Sequence, residues 1–138
     1  MKVLTKNLLA PKQTLFFALI YTALILLLSL IRLDDLPTPK FDNSDKYMHS
    51  IAYLGLTLIW YIYYFSKKSW RLVQIKSLTV ICLLIIAFGI FIEVLQDKLT
   101  TYRTIDSLDV LANSIGVFIA FLVILMMKEQ LKKVKSKL

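Results

Sequence analysis

Four stretches of this chain run apolar for about the 20 residues that a helix needs to cross a bilayer. They cover residues 13–31, 47–65, 77–95 and 108–127. The first carries no charge. The second is broken by His49 near its start, the third is uncharged until Glu93, and the fourth has Asp109 and Asn113 near its start. Between them lie short polar segments, and Leu36-Pro37-Thr38-Pro39 favours extended chain over helix. This pattern predicts an all-α, polytopic membrane protein: a compact four-helix bundle forming one domain over residues 1–138.

Composition agrees with the pattern. Hydrophobic residues make up 58% of the 138 and charged ones 19%, against about 45–50% and about 25% in soluble domains. Such apolar abundance excludes disorder, and a lone Cys82 excludes an internal disulfide framework. The first apolar run is longer than a signal-peptide core, and Ile31-Arg32-Leu33-Asp34 offers no small-x-small cleavage site, so it is expected to remain as an anchor.

The formal charge of +8 is a topology signal. Twelve of the 17 basic residues lie before the first span, between the second and third, or after the fourth. Eight of the nine acids lie in or beside the other two connections. The positive-inside rule then predicts that both termini are cytoplasmic. With no basic binding motif, nucleic acid is not an expected partner. The Lys-rich end after Met127 is expected to be a solvated, lipid-facing tail, with continuation of the last helix as the alternative.

Ionisable residues are costly in a span and usually face the interior of a bundle or a water-filled cavity. Here they gather at one end. Asp45 and His49 are i,i+4 on the second helix, with Lys46 beside them, while Glu93 and Gln96 are i,i+3 on the third. Asp106, Asp109 and Asn113 form a stripe on the fourth, which continues inward as Gly116 and Ala120. Gly89 and Cys82 lie on the face of Glu93. Arg103 falls in the connection between the last two helices. Small residues let helices approach closely, so three helices are expected to converge on a polar cluster, with the first at the periphery.

The ordered residues Asp45-Lys46-x-x-His49-x-x-x-Tyr53, Glu93-x-x-Gln96 and Arg103-x-x-Asp106-x-x-Asp109-x-x-x-Asn113-x-x-Gly116 resemble the VanZ-like family of small bacterial membrane proteins. The resemblance covers roughly half the chain, and its four-span layout agrees. The family takes its name from a member associated with resistance to the glycopeptide teicoplanin, so the resemblance implies a role in the bacterial cell envelope.

Three functions follow. In the first, the cluster binds the head group of an envelope lipid or peptidoglycan precursor. Lys46 and Arg103 would meet phosphate, and His49, Gln96 and Asn113 would supply directional hydrogen bonds. In the second, His49, Glu93 and Asp109 are general acid and base candidates in a hydrolase or transferase; the absence of a nucleophile motif leans away from an enzyme. In the third, the cluster is only a salt-bridge network within a small transporter component. No cofactor is expected. One His and no Cys cluster make a weak case for zinc, so no metal is expected either.

Overall fold

The computed structural model describes residues 10–31, 44–67, 74–101 and 104–136. They form five helices: α1 (Pro11–Leu30), α2 (Ser44–Lys67), α3 (Ile75–Leu99), α4 (Ser107–Met126) and α5 (Lys128–Ser136). No strand occurs among the described residues. The first four match the apolar runs, with ends displaced by one to four residues. Helix α5 follows a turn at Met127, so the Lys-rich segment is a separate short helix and not an unbroken extension of α4.

The termini follow from local chemistry. Pro11 opens α1, where its missing N–H would be unpaired in any residue. Asp106 caps α4, its carboxylate accepting from the Leu108 N–H at 2.8 Å. At the end of α3, both the backbone N–H and the hydroxyl of Thr100 turn back to the Gln96 carbonyl.

Helix α2 is central. It packs most extensively on α4 and next on α1, and α3 leans chiefly on α4. The α2–α4 contact runs along Ala112, Gly116 and Ala120, all buried or fully enclosed. The Ser50 hydroxyl donates to the Ala112 carbonyl at 2.8 Å. A Cβ on Gly116 would collide with the backbone carbonyl of Ser50, which no rotamer change can relieve. Below this point Tyr53, Leu56, Cys82, Ile85, Val117 and Ile124 belong to one apolar core.

Among the four long helices α1 is the least embedded, burying only Thr14, Ala18 and Ile25. Several of its few polar groups nonetheless act as fasteners. Thr14 meets the Ser66 hydroxyl at 2.7 Å, and Tyr21 donates to the Ala52 carbonyl at 3.3 Å. The Trp60 indole donates to Thr22 at 3.0 Å, and the Gln96 amide donates to the Ser29 carbonyl at 2.8 Å. Such bonds contribute about 0.6 kcal/mol each between helices in a bilayer.

Helices α1, α3 and α4 are long and apolar enough to cross a membrane. Phe16, Phe17, Leu83, Leu84, Phe91 and Phe118 are all more than half exposed, so the outside of the packed helices is as apolar as its inside. That is the surface of a membrane protein. Helix α2, expected as a fourth span, has 24 residues but not the same apolarity. Asp45, Lys46, His49, Ser50 and a series of tyrosines dilute it. These polar groups belong to the helix with the most protein around it.

Two of the three glycines, all of which face a neighbouring helix, give a graded test. Gly116→Ala must push α2 from α4 and should cost about 1–3 kcal/mol of stability, as overpacking does. Gly55→Ala meets only the mobile end of Tyr21 and should lower the unfolding midpoint in detergent by clearly less.

Candidate functional site

The polar cluster lies where α2 and α4 begin and α3 ends, and it has two tiers. The first is built on Lys46. Its ammonium reaches Asp109 at 2.5 Å, Asp106 at 2.6 Å and Asp45 at 2.9 Å. Asp45 is an exposed rim partner, whereas Asp109 is buried, so the Asp109 pair carries most of the interaction. Asp106 does two things at once: it caps α4 and holds Lys46. The Lys46 hydrogen bond, followed by that from the Leu108 N–H, holds its carboxyl below the ordinary carboxylate range.

The second tier lies deeper. His49 Nδ1 is 3.0 Å from Asn113 Oδ1. An amide oxygen only accepts, so Nδ1 is the donor in this bond, and a neutral imidazole held this way keeps its lone pair on Nε2. Nε2 faces Asp109 Oδ2 at 3.7 Å, beyond hydrogen-bond range. Glu93, 2% exposed, enters from α3. One nitrogen of His49 and one oxygen each of Glu93 and Asp109 lie within 4.8 Å of one another, a donor set able to surround a cation.

Two further groups border this tier. Tyr53 and Asn113 are both 2% exposed, and they pack over Gly89, one turn before Glu93 on α3. Among the described residues, neither the Tyr53 hydroxyl nor the Asn113 amide nitrogen has a hydrogen-bond partner. A buried donor without an acceptor costs about 1–3 kcal/mol.

Asp45, Lys46, His49, Asp106, Asp109 and Asn113 are therefore linked by direct contacts, and Glu93 joins His49 and Asp109. Two expected roles come out differently. Lys46 is engaged by three carboxylates, and the Gln96 amide is turned to α1 to hold Ser29. Arg103 lies outside the described residues. The sequence pattern assigned Tyr53 no role at the site, although its spacing of i+4 from His49 placed it on the polar face. Ser50 was also missed, because a serine inside an apolar run carries no pattern of its own.

No family model, curated protein or solved structure matches the chain. The likeness to VanZ-like proteins rests on the motif residues alone.

The low carboxyl value of Asp106 sets a pH dependence. A group whose folded value is depressed contributes stability above its unfolded value, and that contribution is lost as pH falls through the folded one. The unfolding midpoint of the wild type should therefore exceed that of Asp106→Asn near neutral pH. The gap should narrow steadily below about pH 4, as thermal melts at several pH values in one detergent would read.

Proposed function

We propose that this chain is a VanZ-like protein of the bacterial inner membrane, and that its inner polar tier binds the head group of an envelope lipid or peptidoglycan precursor. On this reading α2 is a fourth span, both termini are cytoplasmic, and the cluster opens to the extracytoplasmic side. A 24-residue helix is about 36 Å long, enough for a hydrocarbon core of about 30 Å. Its polar groups face α1, α3 and α4 in part, which is how ionisable residues are tolerated at membrane depth.

The observation that carries the reading is the unspent donor capacity beneath Asp109. A network serving only to fasten helices would be expected to satisfy its own members. The Lys46 tier does so, and its ion pairs favour a fastening role. The inner tier instead retains two buried donors, on Tyr53 and Asn113. The partially exposed edges of His49 and Asp109 give it access from outside. Head-group binding by such a tier would connect the protein with glycopeptide tolerance, as the resemblance to the teicoplanin-associated family suggests.

The two tiers should separate experimentally. Lys46→Met should destabilise the fold, since it leaves facing carboxylates without their counter-ion. Glu93→Gln should keep most of the melting temperature and lose a lipid that co-purifies with the wild type, read by mass spectrometry of extracted lipids. A wild type that carries no specific lipid, or a Glu93→Gln variant that keeps it, overturns the reading.

Orientation has its own test. In a variant lacking Cys82, single cysteines at Thr38 and Thr100 should react with an impermeant reagent in intact cells, while one at Ser136 should not. The opposite pattern would move the cluster to the cytoplasmic side.

A further inference from the structure

The inner tier draws donors from three helices toward one point. His49 from α2, Glu93 from α3 and Asp109 from α4 bring an imidazole nitrogen and two carboxylate oxygens within 4.8 Å of one another, and both carboxylates are buried. The His49 Nδ1 donates to the Asn113 oxygen, so a neutral imidazole held this way turns its Nε2 lone pair toward Asp109 Oδ2. Two electron-rich atoms facing each other at 3.7 Å gain nothing from the contact unless something positive lies between them.

We propose that His49 Nε2, a Glu93 carboxylate oxygen and an Asp109 carboxylate oxygen bind a divalent first-row transition cation of the zinc or manganese kind. Bonds of about 2.0–2.2 Å hold neighbouring donors roughly 3.3 Å apart in a tetrahedron and opposed donors roughly 4.3 Å apart in an octahedron. The 3.7 Å His49–Asp109 pair already falls between these limits, and the 4.8 Å outer spread closes by small side-chain rotations. The imidazole selects against magnesium and calcium, which prefer oxygen throughout.

The second shell is in place as well. Asn113 orients His49 through Nδ1, and Lys46 holds the other oxygen of Asp109, the outer support that metal ligands usually receive. Three protein donors leave coordination positions open. The Tyr53 hydroxyl and the Asn113 amide nitrogen, both buried and without an acceptor among the described residues, offer donors to an oxygen bound there. In the part that rests on the head-group reading, that oxygen belongs to a phosphate, and the cation is what brings an anion to an acidic site.

The test uses the full chain in detergent, stripped with a chelator and dialysed against zinc chloride or manganese chloride, with bound metal counted by elemental analysis. The wild type should hold one ion per chain. His49→Gln and Glu93→Gln should bind at least about tenfold more weakly, since even the loss of an outer-shell partner costs about 10–100-fold. Asp45→Asn, outside the donor set, should bind as the wild type does. His49 is the only histidine, so its modification by diethyl pyrocarbonate can be followed in the wild type without any variant, and zinc should block it. No uptake by the wild type, undiminished uptake by both variants, or modification indifferent to metal overturns the site. Lipid retained by a protein that takes no metal overturns the cation site alone. Metal taken up by a protein that holds no lipid supports the cation and overturns the head-group reading.

Discussion

The contact between the backbones of α2 and α4 at Gly116 governs the rest of the structure. Where Gly116 meets the Ser50 carbonyl, the two helices approach more closely than any side chain permits. One turn toward the polar end, that approach lets the Ser50 hydroxyl reach the Ala112 carbonyl and brings His49 against Asn113. Another turn outward, it brings Lys46 within reach of Asp106 and Asp109. Short polar side chains can pair across helices only if the axes are close. The small face of α4 is thus the condition for the charged one, and the two stripes are read along the same side of one helix.

The surroundings decide what the pairs are worth. In water the Lys46 cluster would be screened and nearly neutral in its effect. Against an apolar exterior lined by residues such as Phe91 and Phe118, no solvent competes for the buried partners. The same argument raises the cost of every unsatisfied atom. The fold therefore concentrates its polar groups at one end of the packed helices and leaves the Tyr53–Leu56 stretch and its partners to apolar packing. Helix α1 follows a milder version of the rule, with single hydroxyls spread along its length in place of a cluster.

The helices were legible because apolar runs of bilayer length dominate the chain, and the convergence of α2 and α4 was legible because i,i+3 and i,i+4 spacings align their polar and small residues. Three of the four expected spans meet the same standard of apolarity in the structure, while α2 does not. The sequence pattern registers only His49 as a break in this run, whereas the structure shows its tyrosines and charged first turn diluting a helix that sits among the other three. The pairing of Lys46 with three carboxylates was not legible. Spacing along one helix says which side chains share a face and nothing of which partner across the gap wins a cation. Gln96 makes the same point. Its spacing from Glu93 joined it to the cluster, but its longer side chain reaches past the cluster to a carbonyl near the end of α1.

Among the described residues, Asp109 alone faces both tiers, with Oδ1 on Lys46 and Oδ2 toward His49. The two oxygens share one delocalised charge. Anything that draws electron density toward Oδ2 leaves Oδ1 a poorer acceptor, and so loosens the grip on the first turn of α2. Reciprocity requires the converse: a tighter grip on Lys46 makes Oδ2 a poorer donor to whatever occupies the deeper tier. The start of α2 and the affinity of the inner site are thereby two readings of a single balance, struck at one carboxylate.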